Sequence, residues 1–264
     1  MKMTKSKNII SREYSVFRNE ISTPEYAIWW LMRIGLAVVL VKVAMENLTD
    51  IRVIQIFGNL LATFTVFLVR IIFRSPESMF RRLTYRCQTW INLTAFLTAF
   101  FGQGLDFYHV FSSWDKVLHF ITGGTFVLIG SELVTMLMKE NDRISAANRT
   151  FSAMGFSYFA MVAWELIEFF FDYFIEGSAL QRYEPGDADD CLNNMFTMIF
   201  GQSVNEGRIE DGLTINHWPL FDTAMDLFYA MVCCVAVGIG LYTVLKRKEK
   251  KERMSFQAKE EITC

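Results

Sequence analysis

Six long apolar blocks, at residues 26–45, 51–73, 88–106, 114–138, 151–175 and 219–245, constrain this chain more than any other feature. An α-helix rises 1.5 Å per residue, so about 20 apolar residues cross the roughly 30 Å hydrocarbon core of a bilayer. The expected fold class is all-α: a polytopic membrane helix bundle of about six transmembrane helices. Composition agrees, with 52% hydrophobic residues, 25 Phe and only 4 Pro among 264 residues, and a mean hydropathy of +0.25.

The blocks divide the chain into an amino-terminal segment (1–25), a single six-helix membrane domain (26–245) and a basic tail (246–264). The first 25 residues carry Lys2, Lys5, Lys7, Arg12 and Arg18 and lack the apolar core of a cleavable signal peptide. With the amino terminus placed in the cytoplasm, Lys and Arg sort to one side. That side receives Arg74, Arg81, Arg82, Arg86, Lys139, Arg143, Arg149 and the run Lys246-Arg247-Lys248-Glu249-Lys250-Lys251. The other receives Arg52, Lys116, Arg182 and Arg208, with an acidic stretch at 184–211. The bias predicts both termini cytoplasmic. Arg33, Lys42 and Arg70 fall near span ends, from which they are expected to snorkel to the interface.

The five cysteines make no disulfide framework or CxxC metal knuckle, and Cys191 alone falls in the long extracytoplasmic loop 176–218. A loop of that length is a candidate lid or binding element, or an ordinary covering of the bundle. The lipid bilayer is the expected partner, and nucleic acid is not.

Charge inside the spans is the informative exception. Trp164-Glu165-Leu166-Ile167-Glu168 puts two carboxylates one turn apart in an apolar block, with Asp172 on the same face. A buried carboxylate costs several kcal/mol, roughly, unless protonated, paired or bound to a cation. The fourth span carries Asp115 and His119, four apart and hence on one face, which Gly123 continues as a site of close helix approach. The sixth begins at Pro219 and carries Asp222 and Asp226, again four apart, with Tyr229 beyond. Under the predicted topology His119, Glu168 and Asp226 share one level, roughly 9–10 Å below the outer surface at 1.5 Å per residue. The fourth to sixth spans, with the third, are therefore expected to enclose a polar core.

Structural roles compete for some of these residues. Asp115 and Asp222 lie in first turns, where a carboxylate caps free N–H groups and complements the macrodipole. Asp106 and Asp172 lie near the interface, Glu132 reads as a separate interfacial or paired residue, and His109 and His217 read as loop residues. Glu165 and Glu168 resist such readings, because they sit toward a helix carboxyl terminus, where the dipole opposes negative charge.

One imidazole among carboxylates suits Mg²⁺, Mn²⁺ or Fe²⁺, with Zn²⁺ also compatible. His119, Glu168, Asp222 and Asp226 are the expected metal ligands, and Glu165 and Asp115 the expected catalytic bases. The corresponding function is a metal-dependent hydrolase or transferase acting on a lipid or lipid-linked substrate. A proton- or cation-coupled transporter would use the same acids, and a non-catalytic protein would use them to hold its helices in register.

Three motifs, Asp115-x-x-x-His119, Trp164-Glu165-Leu166-x-Glu168 and Asp222-Thr223-x-x-Asp226-Leu227, occur in this order across about half the chain. In them the chain resembles the YjdF-like family of bacterial inner-membrane proteins, from which it departs in its longer 176–218 loop. The resemblance implies a small six-helix protein of the bacterial inner membrane and carries no reaction. Around Asp115-Lys116-Val117-Leu118-His119 the chain is also similar, more loosely, to VanZ-like membrane proteins.

Overall fold

Within lipid, backbone N–H and C=O groups find no water, so long apolar segments must satisfy them internally as helices. The computed structural model describes residues 9–73, 75, 77–111, 113–138, 143–174 and 219–263, and among them every regular element is helical. They are α1 (Ile9–Glu20), α2 (Thr23–Glu46), α3 (Ile51–Ala62), α4 (Thr65–Ile72), a 3₁₀ turn (Met79–Arg82) and α5 (Tyr85–Phe96). α5 runs directly into a π-helical segment (Leu97–Gly104), followed by α6 (Phe107–Val110), α7 (Trp114–Leu137), α8 (Ala146–Phe174) and α9 (Pro219–Thr263). The loop expected at 176–218, with Cys191 and His217, lies outside the described residues.

Local chemistry sets several boundaries. Ser22 caps α2 by accepting from the Glu25 N–H, with Pro24 in the first turn. Asp50 starts α3 by accepting from the Arg52 N–H at 2.8 Å. At the far end of the chain α9 continues without interruption through Thr263, so the basic segment after Leu245 extends the last span as helix.

α2, α7, α8 and α9 are each long and apolar enough to cross a membrane, and α3 with α4 would supply a fifth span as a bent pair. The protein is an all-α polytopic membrane bundle. The α3–α4 bend of 60° falls at Thr63–Phe64. A bend releases carbonyls from the helix ladder, and here Arg33 reaches across to fill the gap. Its Nη2 donates to the Thr63 carbonyl at 2.5 Å, its Nε to Thr63 Oγ1 at 3.2 Å, and its guanidinium lies 4.2 Å from the Phe64 ring.

Arg33 and Arg70 correct the snorkelling expectation, since both are buried. Inward partners, an orphaned carbonyl for one and a carboxylate for the other, satisfy them without a reach to the interface. Lys42 stays exposed, 3.9 Å from Glu46. The block expected as a third span, 88–106, falls in α5 and its π-helical continuation, where Gln88, Asn92 and Gln103 are buried. Gln88 accepts from the Val66 N–H at 2.7 Å and Gln103 donates to Gln55 at 2.6 Å, so these side chains tie neighbouring elements together.

α7 is the most buried of the spans and packs against α8, α9 and α5. Its approach to α9 requires Gly123, because a Cβ there would lie 2.3 Å from the Ala230 carbonyl oxygen. The small-residue contact expected at Gly123 is thus present. Ser157 of α8 donates to the Gly123 carbonyl at 2.6 Å and locks the third helix to the same point. Large apolar side chains such as Leu31, Val38, Phe159 and Ile239 face outward, as lipid as solvent demands.

Candidate functional site

Where α7 begins, α8 nears its end and α9 begins, the charged residues of all three helices turn inward. His119, Glu165, Glu168, Asp222 and Asp226 are each less than a tenth exposed, and Asp115 is half-buried. All six residues singled out from sequence meet in one cluster. The helical periodicity explains it: Asp115 and His119 share one face of α7, Glu165 and Glu168 one face of α8, and Asp222 and Asp226 one face of α9.

A residue not assigned to the site organises it. Lys116 reaches in from the first turn of α7 and donates to Asp222 Oδ1 at 2.6 Å and Asp226 Oδ2 at 2.8 Å. It also donates to Asp115 Oδ2 at 3.3 Å. Counted by topology, Lys116 is a surface charge. One signal could have found it: an ammonium in a first helical turn opposes the macrodipole and needs compensation nearby.

Asp115 and Asp222 therefore do more than complement their helix ends. Asp115 faces Lys116 with one oxygen and His119 with the other, its Oδ1 lying 3.5 Å from Nε2. The second ring nitrogen of His119, Nδ1, lies 3.4 Å from Glu165 Oε1. Thr223 of α9 stands beside Glu165, and Glu168 accepts from the Trp164 indole N–H at 2.6 Å. Asp226 keeps Oδ1 buried with no hydrogen-bond partner among the described residues. A continuous polar chain thus runs from Asp222 and Asp226 through Lys116, Asp115 and His119 to Glu165.

Two overlapping groups have the ligand atoms and spacing to hold a metal ion: His119, Glu165 and Glu168, and Asp115, His119 and Asp226, each within 4.8 Å of one another. The first group is wholly buried. In the second, both carboxylates already accept from Lys116, whose ammonium brings one positive charge where a divalent metal would bring two. Tyr108 of α6 lies within electrostatic reach of Asp115, Glu168 and Asp226. Burial and those carboxylates push its phenol well above its usual range, so it stays protonated and available as a donor.

The remaining charged candidates fall elsewhere. Glu132 accepts from Thr84 at 2.7 Å, consistent with a paired residue apart from the cluster. Asp106 adopts a left-handed backbone (φ 61°) ahead of α6 and is half-buried. The side chains of His109 and Asp172 lie outside the described residues.

Fold and site together define a class: an integral membrane helix bundle whose spanning helices enclose a buried His/Asp/Glu cluster able to coordinate a metal. The chain belongs to the family described as "Predicted membrane protein (DUF2238)", whose model matches residues 27–247. That match spans every residue of the cluster. It supports the membrane-protein part of the resemblance noted above and singles out neither the YjdF-like nor the VanZ-like proteins. No curated protein and no solved structure matches the chain.

Proposed function

We propose that the protein is a membrane-embedded, metal-dependent hydrolase or transferase that works on a lipid or lipid-linked group. The observation that carries this reading is the position of His119 between two sets of carboxylates. Nδ1 faces Glu165, which with Glu168 offers two further ligands, and Nε2 faces Asp115, itself pinned by Lys116. A carboxylate behind a ligating imidazole fixes its tautomer and raises its basicity, the usual support of a metal-bound histidine. His119, Glu165 and Glu168 would hold the ion, of which Mn²⁺, Fe²⁺ and Zn²⁺ suit one imidazole and two carboxylates. Asp222 and Asp226, expected as ligands from sequence, serve in this reading to hold Lys116.

A cation there would polarise a phosphoryl or acyl oxygen or acidify a bound water. Asp115 then orients His119, and Tyr108 stands as a proton donor at the edge of the site. The same proposal takes six membrane crossings, with α5 and its π-helical continuation as one of them. It places both termini in the cytoplasm of a bacterial cell, puts the site in the outer half of the inner membrane and takes the YjdF-like resemblance as kinship.

Elemental analysis of the detergent-purified protein tests the reading. Wild type is expected to retain one divalent metal per chain and Glu168→Gln to lose it with melting temperature unchanged. Wild type incubated in lipid nanodiscs with that metal should release a headgroup or transfer it, and Glu168→Gln should not. Metal-free, fully folded wild type would overturn the metal, and an unchanged lipid pool the enzyme.

Proton-coupled transport is a second reading, favoured by the unbroken chain from Asp226 through Lys116, Asp115 and His119 to Glu165, with gaps of 2.8–3.5 Å. Proton flux in reconstituted vesicles that disappears in Asp226→Asn would select it over catalysis.

A further inference from the structure

At the opposite end of α7 the bundle opens into a cavity of about 760 Å³. It is bounded by Thr135 of α7, Met138 just beyond its end, residues 143–145, the start of α8 and the part of α9 from Leu245 onward. Thr135 lies roughly 24 Å along α7 from His119, at 1.5 Å per residue. The cavity is therefore nearly a hydrocarbon core away from the acid cluster and opens where the apolar run of α9 gives way to Lys246.

Arg143, Arg149, Lys248 and Arg253 line it, against Glu249 and Glu252. Glu249 is already engaged, accepting from the Ala146 N–H at the start of α8 and pairing with Lys246 at 3.2 Å. Arg149 is oriented by its Nε, which donates to Ser131 Oγ of α7 at 2.9 Å. Its two terminal nitrogens donate to nothing among the described residues, and Arg143, Lys248 and Arg253 have no carboxylate within ion-pair distance there. Four cations around one cavity, one of them anchored and none within ion-pair distance of a carboxylate among the described residues, make a receptor for a compact polyanion such as phosphate. Met138, Ile144 and Leu245 supply an apolar wall continuous with the membrane spans, which a free anion would not use.

We propose that this cavity binds the phosphate-bearing headgroup of an anionic membrane lipid, with Arg149 as its principal contact. It is independent of the acid cluster and of the function read from it. The test is native mass spectrometry of the full chain in mild detergent, titrated with phosphatidylglycerol or with phosphatidylcholine of the same acyl chains. Phosphatidylglycerol should bind about tenfold or more tightly, because its headgroup carries a net negative charge to the cations and that of phosphatidylcholine carries none. The double substitution Arg149→Gln and Arg253→Gln should remove that preference. Lys250→Gln with Lys251→Gln, exposed neighbours on α9 outside the cavity, should leave it intact. High salt on wild type should release phosphatidylglycerol selectively, a readout needing no variant.

Equal retention of the two lipids would overturn the proposal. So would an equal loss in the Lys250/Lys251 variant, which would mean general surface attraction. Inorganic phosphate that competes at the lipid's own concentration would replace the lipid with a soluble phosphate ligand.

Discussion

Two buried charge clusters in this molecule have opposite balances. Near the amino terminus, Glu13 of α1 is fully buried and meets two arginines, Arg70 of α4 at 2.9 Å and Arg81 of the 3₁₀ turn at 2.7 Å. Arg70 also donates to the Arg81 and Leu83 carbonyls, at 2.7 and 2.8 Å. Every group there has a partner of opposite character. Between α7, α8 and α9, five carboxyl groups face one ammonium and one imidazole. A compensated cluster joins elements and explains itself; a cluster with surplus acid is stable only with protons or a cation added. The surplus sets the α7–α9 cluster, which could coordinate a metal, apart from the first cluster, a structural staple.

The comparison can be broken most forcefully at the staple. Arg70→Met strands Glu13 beside a single arginine and is expected to destabilise the protein by about 3–5 kcal/mol. It should show as a large loss of melting temperature and of detergent-extracted yield. A small effect would mean that the staple is dispensable.

Next in size is Gly123→Ala, which drives a methyl into the Ala230 backbone and should cost about 1–3 kcal/mol. Because Gly123 lies one turn below His119, the same variant should loosen the cluster and lower metal retention. Thermal unfolding and metal content read together would show whether the site depends on that contact.

Glu165→Gln and Glu168→Gln should do the reverse of Arg70→Met. Removing surplus charge is expected to leave stability within about 1 kcal/mol of wild type, or raise it, while metal binding disappears. If either variant unfolds as readily as Arg70→Met, the two clusters are the same kind of object and the contrast fails.

The smallest effect is expected at Asp50, a half-buried control outside both clusters. The Arg52 guanidinium holds its carboxyl below the ordinary range. A depressed folded-state pKa stabilises above the unfolded value of about 3.9 and is lost as pH falls through the folded one. Asp50→Asn should therefore cost about 0.2–1 kcal/mol at neutral pH and nothing at the acid end. Melting temperatures of the two proteins should converge as pH is lowered.

Hydropathy and periodicity made the bundle, the shared faces of Asp115/His119, Glu165/Glu168 and Asp222/Asp226, and the close approach at Gly123 legible in the chain. Each depends on short-range geometry: one helical turn defines a face, and 20 apolar residues define a crossing. The roles of Lys116, Arg33 and Arg70 were not legible, because a basic side chain near a span end can reach either outward to water or inward to a partner. Which it does depends on whether an acceptor waits on another helix, and Asp222 is more than a hundred residues from Lys116 in sequence.

By itself, then, the sequence determined that this protein lives in a membrane as helices, and which acids and histidine share helical faces. Local backbone rules and the cost of burying charge suffice for both. Only the tertiary structure decided that those faces converge, that Lys116 donates to both Asp222 and Asp226, and that His119 is left between Asp115 and the Glu165/Glu168 pair. Charge balance inside a bundle is a sum over distant segments, and the packing of three helices at Gly123 sets its terms.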